Sequence, residues 1–261
     1  MDFLNSETAV RLFFFLSILG AMFLWEFIWP RRKVMLRKLR WPANFGIIVL
    51  NSLMLVVVPV TAVQVSLFSV FNQFGLLIWL EIPLWPSIII SLLVLDLAIY
   101  WQHRIFHNLP HFWLVHRMHH TDTVIDVSTG LRFHPIEILI SILIKAMVII
   151  LLGAPILGVI AFEIILNGCS IFNHSNIRLS SSVDKILRLF IVTPDMHRVH
   201  HSIHTNEHHR NFGFCLSIWD RLFSSYCDQP RDGHLDMKIG LDKFRSEKEA
   251  RLDRLLTQPF R

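Results

Sequence analysis

The chain has 261 residues, of which 53% are hydrophobic and only 17% are charged. This composition excludes an ordinary soluble domain of the same length and predicts an integral membrane protein. The net charge of +5 is concentrated in segments that we expect at the inner membrane surface. There it favours contact with anionic lipid and argues against nucleic acid as a partner.

The first apolar segment predicts a membrane span from about Thr8 to Trp29. No small-residue cleavage site follows it, so we expect the span to be retained. A basic loop comes next, and the positive-inside rule places that loop in the cytoplasm and the N-terminus outside. The six basic residues of the loop are Arg31, Arg32, Lys33, Arg37, Lys38 and Arg40.

Two more spans are predicted before the first histidines. The second covers roughly Phe45 to Phe71, with a kink expected at Pro59. The loop from Asn72 to Trp85 contains no Lys or Arg, as we expect of an external loop. The third span, about Pro86 to Tyr100, returns to the cytoplasm and should continue as helix until Pro110 stops it.

Apolar sequence resumes in two arms, Ile136 to Leu152 and Ile156 to Phe172, and the Gly-Ala-Pro segment 153–155 between them predicts a tight turn. The arms should form a hairpin that crosses or nearly crosses the membrane. Lys145 and Glu163 lie at equal distances in sequence from the turn and therefore at similar depth. We expect them to pair, because a lone charge inside the bilayer is costly.

Two later segments, Lys185 to Val192 and Leu241 to Leu256, mix apolar and charged residues and predict helices on the cytoplasmic face. The second is equally compatible with a helix packed on the histidine-bearing lobe. Cys169, Cys215 and Cys227 show no paired spacing and fall on the reducing side, which argues against disulfides.

Twelve of the 15 histidines fall in two clusters, 103–120 and 197–209, and each cluster contains the spacing H-x-x-H-H. Imidazole is a favoured ligand of iron, zinc and copper, and helical residues three or four apart share one face. His103 and His107 add a further pair with a spacing of four. Eight imidazoles exceed what one tetrahedral ion takes, so we predict two metal ions.

The crossings between the clusters allow this metal site to form. Two arms of a hairpin separate the H-x-x-H-H groups, and an even number of crossings returns the chain to the same side. The sequence therefore predicts an all-α, polytopic membrane helical bundle, with about three spans plus a membrane helical hairpin. A histidine-rich metal-binding lobe should lie on its cytosolic side.

The histidines also lie within a set of longer motifs. In chain order these are DLAIYWQHRIFH (96–107), HRMHHTD (116–122), RFHPIE (132–137), NHSN (173–176), MHRVHHS (196–202) and NFGFCLSIWDRLF (211–223). From about Pro86 to Asp228 the chain resembles the fatty acid hydroxylase and sterol desaturase superfamily. Members of that superfamily are membrane non-haem di-iron enzymes that use O2 and two electrons to hydroxylate or desaturate lipids.

The resemblance implies a set of metal ligands. These are His103, His107, His116, His119, His120, His197, His200 and His201. By the same resemblance, His174 supplies a further ligand, and His134 is either a ligand or a neighbour of one. The chain departs from the family at Phe223, Ser224 and Ser225, where the family commonly has Phe-Gly-Thr, and this departure concerns the local turn.

Carboxylates are needed beside such a site, because neutral imidazoles leave the charge of two divalent ions uncompensated near lipid. Five acidic residues lie next to the motifs and are candidates to orient the imidazoles or to bind metal, although each could also be a helix cap or surface charge. They are Asp122, Asp126, Glu137, Asp195 and Asp220. The histidines outside the motifs, which are His111, His204, His208, His209 and His234, are expected to be solvated.

The resemblance implies an oxidoreductase with two iron ions as cofactor, O2 as co-substrate and a sterol-type or fatty-acyl lipid as substrate. The sequence shows no flavin or haem motif, so a separate ferredoxin- or cytochrome-type protein should supply electrons. Two alternatives remain open, a polytopic metal transporter or sensor and a metal-dependent lipid hydrolase. Residues 1–85 form the N-terminal spans, 86–228 the catalytic domain and 229–261 a cytosolic tail. The bacterial inner membrane is favoured over the endoplasmic reticulum.

Overall fold

The computed structural model describes residues 2–58 and 61–261. The kink expected at Pro59 lies outside these residues. Over the described ranges the chain is helical and contains isolated β-bridges but no strand. The first eight helices are α1 (Asp2–Ile28), α2 (Arg37–Val57), α3 (Ala62–Phe71), α4 (Leu76–Trp79), α5 (Leu84–Asn108), α6 (Pro110–His120), α7 (Pro135–Leu152) and α8 (Ile156–His174).

Shorter helices make up the rest of the chain. They are α9 (Ser181–Leu187), α10 (Pro194–His200), α11 (Thr205–His208), α12 (Ile218–Leu222), α13 (Gly233–Asp236) and α14 (Leu252–Thr257), with 3₁₀ turns at Thr129–Leu131, Glu247–Ala250 and Gln258–Phe260. The longest helices therefore belong to the apolar part of the sequence, and every helix after α8 has seven residues or fewer.

Within residues 2–58 and 61–261, five segments are long and apolar enough to cross a membrane. They are Glu7–Ile28, Arg37–Trp79, Leu84–Asn108, Pro135–Leu152 and Ile156–His174. The second is divided between α2, α3 and α4, and part of it lies outside the described residues. Large side chains such as Phe13 and Phe27 are about two-thirds exposed on α1, at 66% each, as lipid-facing residues are. The prediction of an all-helical polytopic membrane bundle is confirmed.

Helix α8 lies at the centre of the bundle and packs against α1, α3 and α5, while α7 packs against α3 and α5. The core between these helices is apolar and includes Leu95, Ile99, Ile149 and Phe162. Helix α5 extends from the span to Asn108, and α6 begins at Pro110, as the sequence predicts. The membrane bundle therefore carries the histidines of α5 and α8 at the ends of rigid helices.

The turn of the hairpin is also where the sequence places it. Helix α7 ends at Leu152, and Gly153 adopts a left-handed φ of 68° before α8 begins at Ile156. Gly75, with φ of 127°, lies directly against Gly153. A Cβ added at Gly75 would be 2.3 Å from the Gly153 Cα atom. Two glycines thus let the loop before α4 reach the hairpin turn.

The ion pair expected between the hairpin arms is present, with Lys145 Nζ 3.1 Å from Glu163 Oε1. Arg11 of α1, which the sequence analysis did not include, lies 2.9 Å from Glu163 Oε2 and 2.7 Å from Glu7. Two cations and two carboxylates therefore neutralise one another between α1, α7 and α8. This matters inside a bilayer, where an unpaired charge would be costly.

The two helices predicted on the cytoplasmic face differ from expectation. Residues 181–187 form α9 behind the Ser180 cap, so the helix lies before most of the expected Lys185 to Val192 segment. The expected helix from Leu241 to Leu256 is wrong as a continuous element, because Phe244 has a left-handed φ of 61° and Arg251 is extended. Only α14 forms at its end, and Leu255 packs with residues of α2 and α6, which include Ala43, Ile47 and Met118.

We predict that Gly75→Ala lowers the stability of the purified protein by more than about 1 kcal/mol, because the new Cβ meets backbone and φ is positive. Thermal unfolding in detergent measures the effect. Gly20→Ala is the matched control, since nothing lies within 4 Å of its added Cβ and alanine favours the helix. Equal melting temperatures for Gly75→Ala and the parent protein would show that the contact with Gly153 does not constrain the fold.

Candidate metal centre

Nine buried histidines converge at one end of the bundle and form two groups. Within each group the candidate ligand atoms all lie within 4.8 Å of one another. The first group is His103, His107, His116, His120 and His200, and the second is His119, His174, His197 and His201. The structure thus brings together the six histidines of the two H-x-x-H-H motifs, the pair His103 and His107, and His174.

The two groups follow from helix geometry. In α6, His116 and His120 are four residues apart and share one face, while His119 points to the other group. In and just after α10 the two groups exchange places. His197 and His201, four residues apart, belong to the second group, and His200 belongs to the first. Each H-x-x-H-H box therefore gives two imidazoles to one group and one to the other.

Ring orientation is fixed through the Nδ1 atoms. A carbonyl oxygen can only accept, so Nδ1 of His103 donates to the Phe212 carbonyl at 2.9 Å and Nδ1 of His200 donates to the Arg210 carbonyl at 2.7 Å. This tautomer leaves the Nε2 lone pair of each ring free for a metal. The segment just after α11 thus orients two rings of the first group.

Two rings of the second group, those of His119 and His174, are oriented in the same way. Nδ1 of His119 donates to the Arg132 carbonyl at 3.2 Å, and Nδ1 of His174 donates to the Ser170 carbonyl at 2.6 Å. In the first group, Nε2 of His116, His120 and His200 is buried without a hydrogen-bond partner. Such orphaned buried nitrogens are expected where a metal binds.

The nitrogen spacing in the second group also suits an ion. Nε2 of His174 lies 2.9 Å from Nε2 of both His119 and His197, and Nε2 of His201 lies 3.3 Å from Nε2 of His197. Four nitrogens bound tetrahedrally at about 2.0–2.1 Å would be about 3.3 Å apart. The imidazoles therefore approach one another about as closely as ligands of a shared ion do.

Burial keeps the imidazoles neutral. Loss of hydration lowers the pKa of His119, His120, His197, His200 and His201 well below the usual value, and neighbouring histidines lower it further. Neutral imidazole is the form that binds metal. The residues present therefore fit two metal ions in donor type, protonation and orientation.

The candidate carboxylates do not act alike. Glu137, in the first turn of α7, accepts from His116 Nδ1 through Oε1 at 2.7 Å. Asp220 accepts from the backbone N–H groups of Phe212 and Gly213, each at 2.8 Å, and so holds the carbonyl that orients His103. Burial raises the pKa of Asp220 to about 6. Glu137 thus touches the histidine groups directly and Asp220 acts through the backbone.

The other three carboxylates bind arginines. Asp122 and Asp126 both bind Arg40, at 2.6 and 2.7 Å. Asp195 pairs with Arg31 at 3.0 Å and also binds Arg198. Burial opposes ionisation of Asp122, but the adjacent guanidinium groups outweigh it and lower its pKa. These carboxylates therefore connect the basic loop to the histidine-bearing segments.

His134 lies outside both histidine groups. It caps α7, because Nδ1 accepts from the Ile136 N–H at 3.2 Å and Nε2 donates to the Leu256 carbonyl at 3.2 Å. Both ring nitrogens are therefore engaged within the protein. As the N-cap, His134 supports the start of α7, whose first turn carries Glu137.

Two histidines expected to be solvated are buried instead, and that expectation is wrong for them. His208 stacks on Trp113 with ring centroids 5.6 Å apart, and burial lowers its pKa to about 4. His234 lies 3.8 Å from Asp195, and burial lowers its pKa to about 4 as well. His204 pairs with Asp232 at 2.7 Å and lies outside the groups.

The Phe-Ser-Ser departure leaves the local turn intact. Ser224 has a left-handed φ of 57°, the conformation that glycine adopts most easily. The Ser225 hydroxyl donates to Asp220 Oδ1 at 2.7 Å and lies 2.7 Å from the Tyr100 hydroxyl. The turn therefore helps to hold Asp220, and through it the His103 contact.

Sequence reasoning missed several buried charged residues, among them Arg40, Asp96 and Glu26. Arg40, which the sequence analysis placed in the basic loop, lies in α2 and is only 1% exposed. Asp96, inside the third span, accepts from the N–H groups of Cys215 and Leu216 and from Trp219 Nε1. Glu26 accepts from the backbone N–H groups of Val127 and Asn176. An acidic residue inside an apolar run was the available signal for Asp96 and Glu26.

A cavity of about 260 Å³ leads from the histidines into the bundle. Residues of α1, α2, α5, α7 and α8 line it, and histidines of both groups form one end. Lys145 lies along the same wall as Glu137, eight residues further along α7, or about 12 Å at 1.5 Å per residue. The metal centre is therefore open toward the membrane-embedded helices.

The chain belongs to the fatty acid hydroxylase family, whose profile matches residues 88–225. It is 29% identical to an ornithine lipid hydroxylase of Rhizobium tropici, over 59% of this chain and 47% of that protein. It is 28% identical to the alkylglycerol monooxygenase of Danio rerio, over 58% of this chain and 33% of that protein. It is 26% identical to the alkylglycerol monooxygenase of Homo sapiens, over 52% of this chain and 29% of that protein.

The family predicted from the motifs is thus confirmed. The chain spans less than half the length of these curated relatives. No solved structure matches it.

We predict that Glu137→Gln weakens metal binding about 10- to 100-fold, because an uncharged amide orients His116 less strongly than a carboxylate does. Titration with Co²⁺, whose visible absorption reports histidine ligation, measures the affinity. Glu247→Gln, an exposed site in the tail, serves as control. Unchanged affinity in a folded Glu137→Gln variant would contradict the orienting role.

Proposed function

We propose that the protein is an O2-dependent, non-haem di-iron oxidoreductase that hydroxylates or desaturates a C–H bond of a membrane lipid. The observation that carries this proposal is the pair of buried histidine groups at the end of a cavity between membrane helices. The relatives, named as a lipid hydroxylase and alkylglycerol monooxygenases, support the same class of reaction.

The first group of histidines would hold one iron ion and the second group the other. Bound iron would supply the activation of O2 and the oxidation of an unactivated C–H bond. The protein's own part is to keep the imidazoles neutral, oriented and shielded from water. Glu137 contributes a negative charge close to His116, which offsets part of the charge of the ions.

The cavity gives the lipid a route to this site. Ser52 and Leu55 on α2 and Asn167 on α8 line it and are also exposed on the outside of those helices. We infer that lipid enters there, from the bilayer, and reaches the histidines without leaving the membrane. The phenylalanine and leucine side chains along the cavity suit a hydrocarbon chain.

The same proposal includes the membrane side on which the histidines lie, the protein that donates electrons and the division of the chain into segments. The basic loop that follows α1 supports a cytoplasmic location for the histidines. A ferredoxin- or cytochrome-type protein would deliver the two electrons on that side. Residues 1–85 would anchor the protein, residues 86–228 would carry catalysis, and residues 229–261 would cover the lobe. The inner membrane of a bacterium is the proposed location.

We predict two iron ions per chain in protein loaded anaerobically with ferrous iron, because two separate histidine groups are present. Elemental analysis measures the stoichiometry. His119→Ala and His200→Ala each remove one ligand from a different group and should reduce bound iron and abolish activity. His111→Ala, at an exposed position on α6, should change neither. One ion or fewer in the folded parent protein would overturn the dinuclear centre.

We predict that membranes containing the protein, given ¹⁸O2 and a reductant system, form lipids that carry one added ¹⁸O atom or that lack two hydrogen atoms. Lipid mass spectrometry separates hydroxylation from desaturation, and membranes with His200→Ala control for background. Oxidation that continued without O2, or equally in the His200→Ala membranes, would contradict the proposed reaction. Release of free acids or alcohols instead would favour a metal-dependent hydrolase.

A further inference from the structure

The cavity contains more polar groups than a hydrocarbon chain needs. Glu137, Ser141 and Lys145 repeat every four residues along α7 and all line it. Asn51 of α2 and Gln102 of α5 line it as well. A hydrogen-bonding group left unpaired in an apolar environment costs free energy, so we expect these polar groups to form hydrogen bonds with a bound ligand.

The unpaired atoms are side-chain amide oxygens, and for Asn51 a hydrogen bond fixes which way the amide faces. Asn51 Nδ2 donates to the Phe133 carbonyl at 3.0 Å, which fixes the orientation of the amide because the reverse orientation would oppose two oxygens. Asn51 Oδ1 is therefore an acceptor, and it is buried without a partner. Gln102 is only 9% exposed, and its Oε1 is likewise buried without a partner.

Both acceptors lie at the histidine end of the cavity. Gln102 immediately precedes His103 in α5. Asn51 is bonded to Phe133, whose ring stacks on His119 with centroids 4.5 Å apart. Gln102 thus lies at nearly the same depth as His103 of the first group, and Asn51 is connected to the second group through Phe133.

The charges at the other end are already matched. Lys145 pairs with Glu163, and Glu163 also pairs with Arg11, which in turn pairs with Glu7. Among the described residues around the cavity, no cation is left for a lipid carboxylate, and Glu137 would repel one. The chemistry favours a neutral donor.

We infer that the cavity selects lipids that carry a neutral hydrogen-bond donor, a hydroxyl or an amide N–H, close to the carbon that is oxidised, and that Asn51 and Gln102 accept that hydrogen bond. This inference rests on the proposed function, since it names the substrate class of the same site. It makes Asn51 and Gln102 specificity-determining residues.

The test compares lipid analogues that differ in the donor alone. The holoenzyme in phosphatidylcholine nanodiscs is titrated by competition against tritiated N-dodecylacetamide. The competitors are N-dodecyl-N-methylacetamide and dodecyl acetate, which lack the N–H, then dodecanol against dodecyl methyl ether, and dodecanoate. The two series distinguish an amide from a hydroxyl as the source of the donor.

We expect the donor-bearing member of at least one series to bind about tenfold more tightly than its matched partner, because a lost hydrogen bond leaves a buried acceptor unpaired. Gln102→Met keeps the side-chain volume. It should remove the preference by weakening the binding of the donor-bearing analogue alone. Asn51→Leu is the second variant, and its melting temperature reports whether losing the Phe133 contact unfolds it. Gln229→Met, at an exposed site, should change nothing.

Equal affinity within both series, or tightest binding of dodecanoate, would overturn the inference. A Gln102→Met variant that weakened every analogue equally would also overturn it, because that would indicate a packing effect. Binding is measured without turnover, so failure of lipid oxidation with the preference intact would count against the proposed function only. Turnover with no donor preference would count against this inference only.

Discussion

The hydrogen bonds from histidine Nδ1 atoms are the constraint on which the rest of the structure depends. The nine imidazoles form two compact groups, burial favours their neutral form, and a ring that donates through Nδ1 keeps its Nε2 lone pair free for a metal. Each ring oriented through Nδ1 requires an oxygen at a defined place. The carbonyls of Phe212, Arg210, Arg132 and Ser170 and the carboxylate of Glu137 supply those oxygens.

The buried charges of the lobe then serve to hold those oxygens. Asp220 binds the N–H of Phe212 and so fixes the segment whose carbonyl orients His103. Arg132 donates to the Met118 carbonyl and lies against Asp122, which Arg40 also binds. Removing one member of such a network leaves an uncompensated buried charge, which costs about 3–5 kcal/mol. Arg40 of the basic segment therefore pairs with a buried carboxylate of the lobe, a role that the positive-inside rule does not describe.

Much of this arrangement could be predicted from the sequence. Apolar length gave the membrane segments, residues 153–155 gave the hairpin turn, and the i, i+4 spacing gave the histidine faces. These features are local, so short-range rules describe them. The Lys145–Glu163 pair is long-range but follows from equal depth in two adjacent arms, and the structure adds Arg11 to it.

Other features depend on contacts between distant segments and could not be predicted in the same way. Arg40 and Asp122 are 82 residues apart, and neither position alone indicates that they meet in the interior. His208 looked like a surface histidine because nothing nearby in the sequence shows that Trp113 covers it. The helix expected from Leu241 is interrupted at Phe244, whose ring lies against the guanidinium groups of Arg117 and Arg261, a contact that the local pattern does not show.

The position of the histidines at helix ends connects chemistry to the membrane. His103 and His107 lie in the last turns of α5 and His174 ends α8, so two helices of the bundle supply histidines of the two groups directly. The remaining histidines of the groups come from α6 and from α10 with its C-terminal cap, outside the candidate spans. The cavity meets the histidines at the boundary between these two sets. A lipid could therefore remain among the membrane helices while electrons arrive from the opposite, polar side, and neither reactant would need to cross the path of the other.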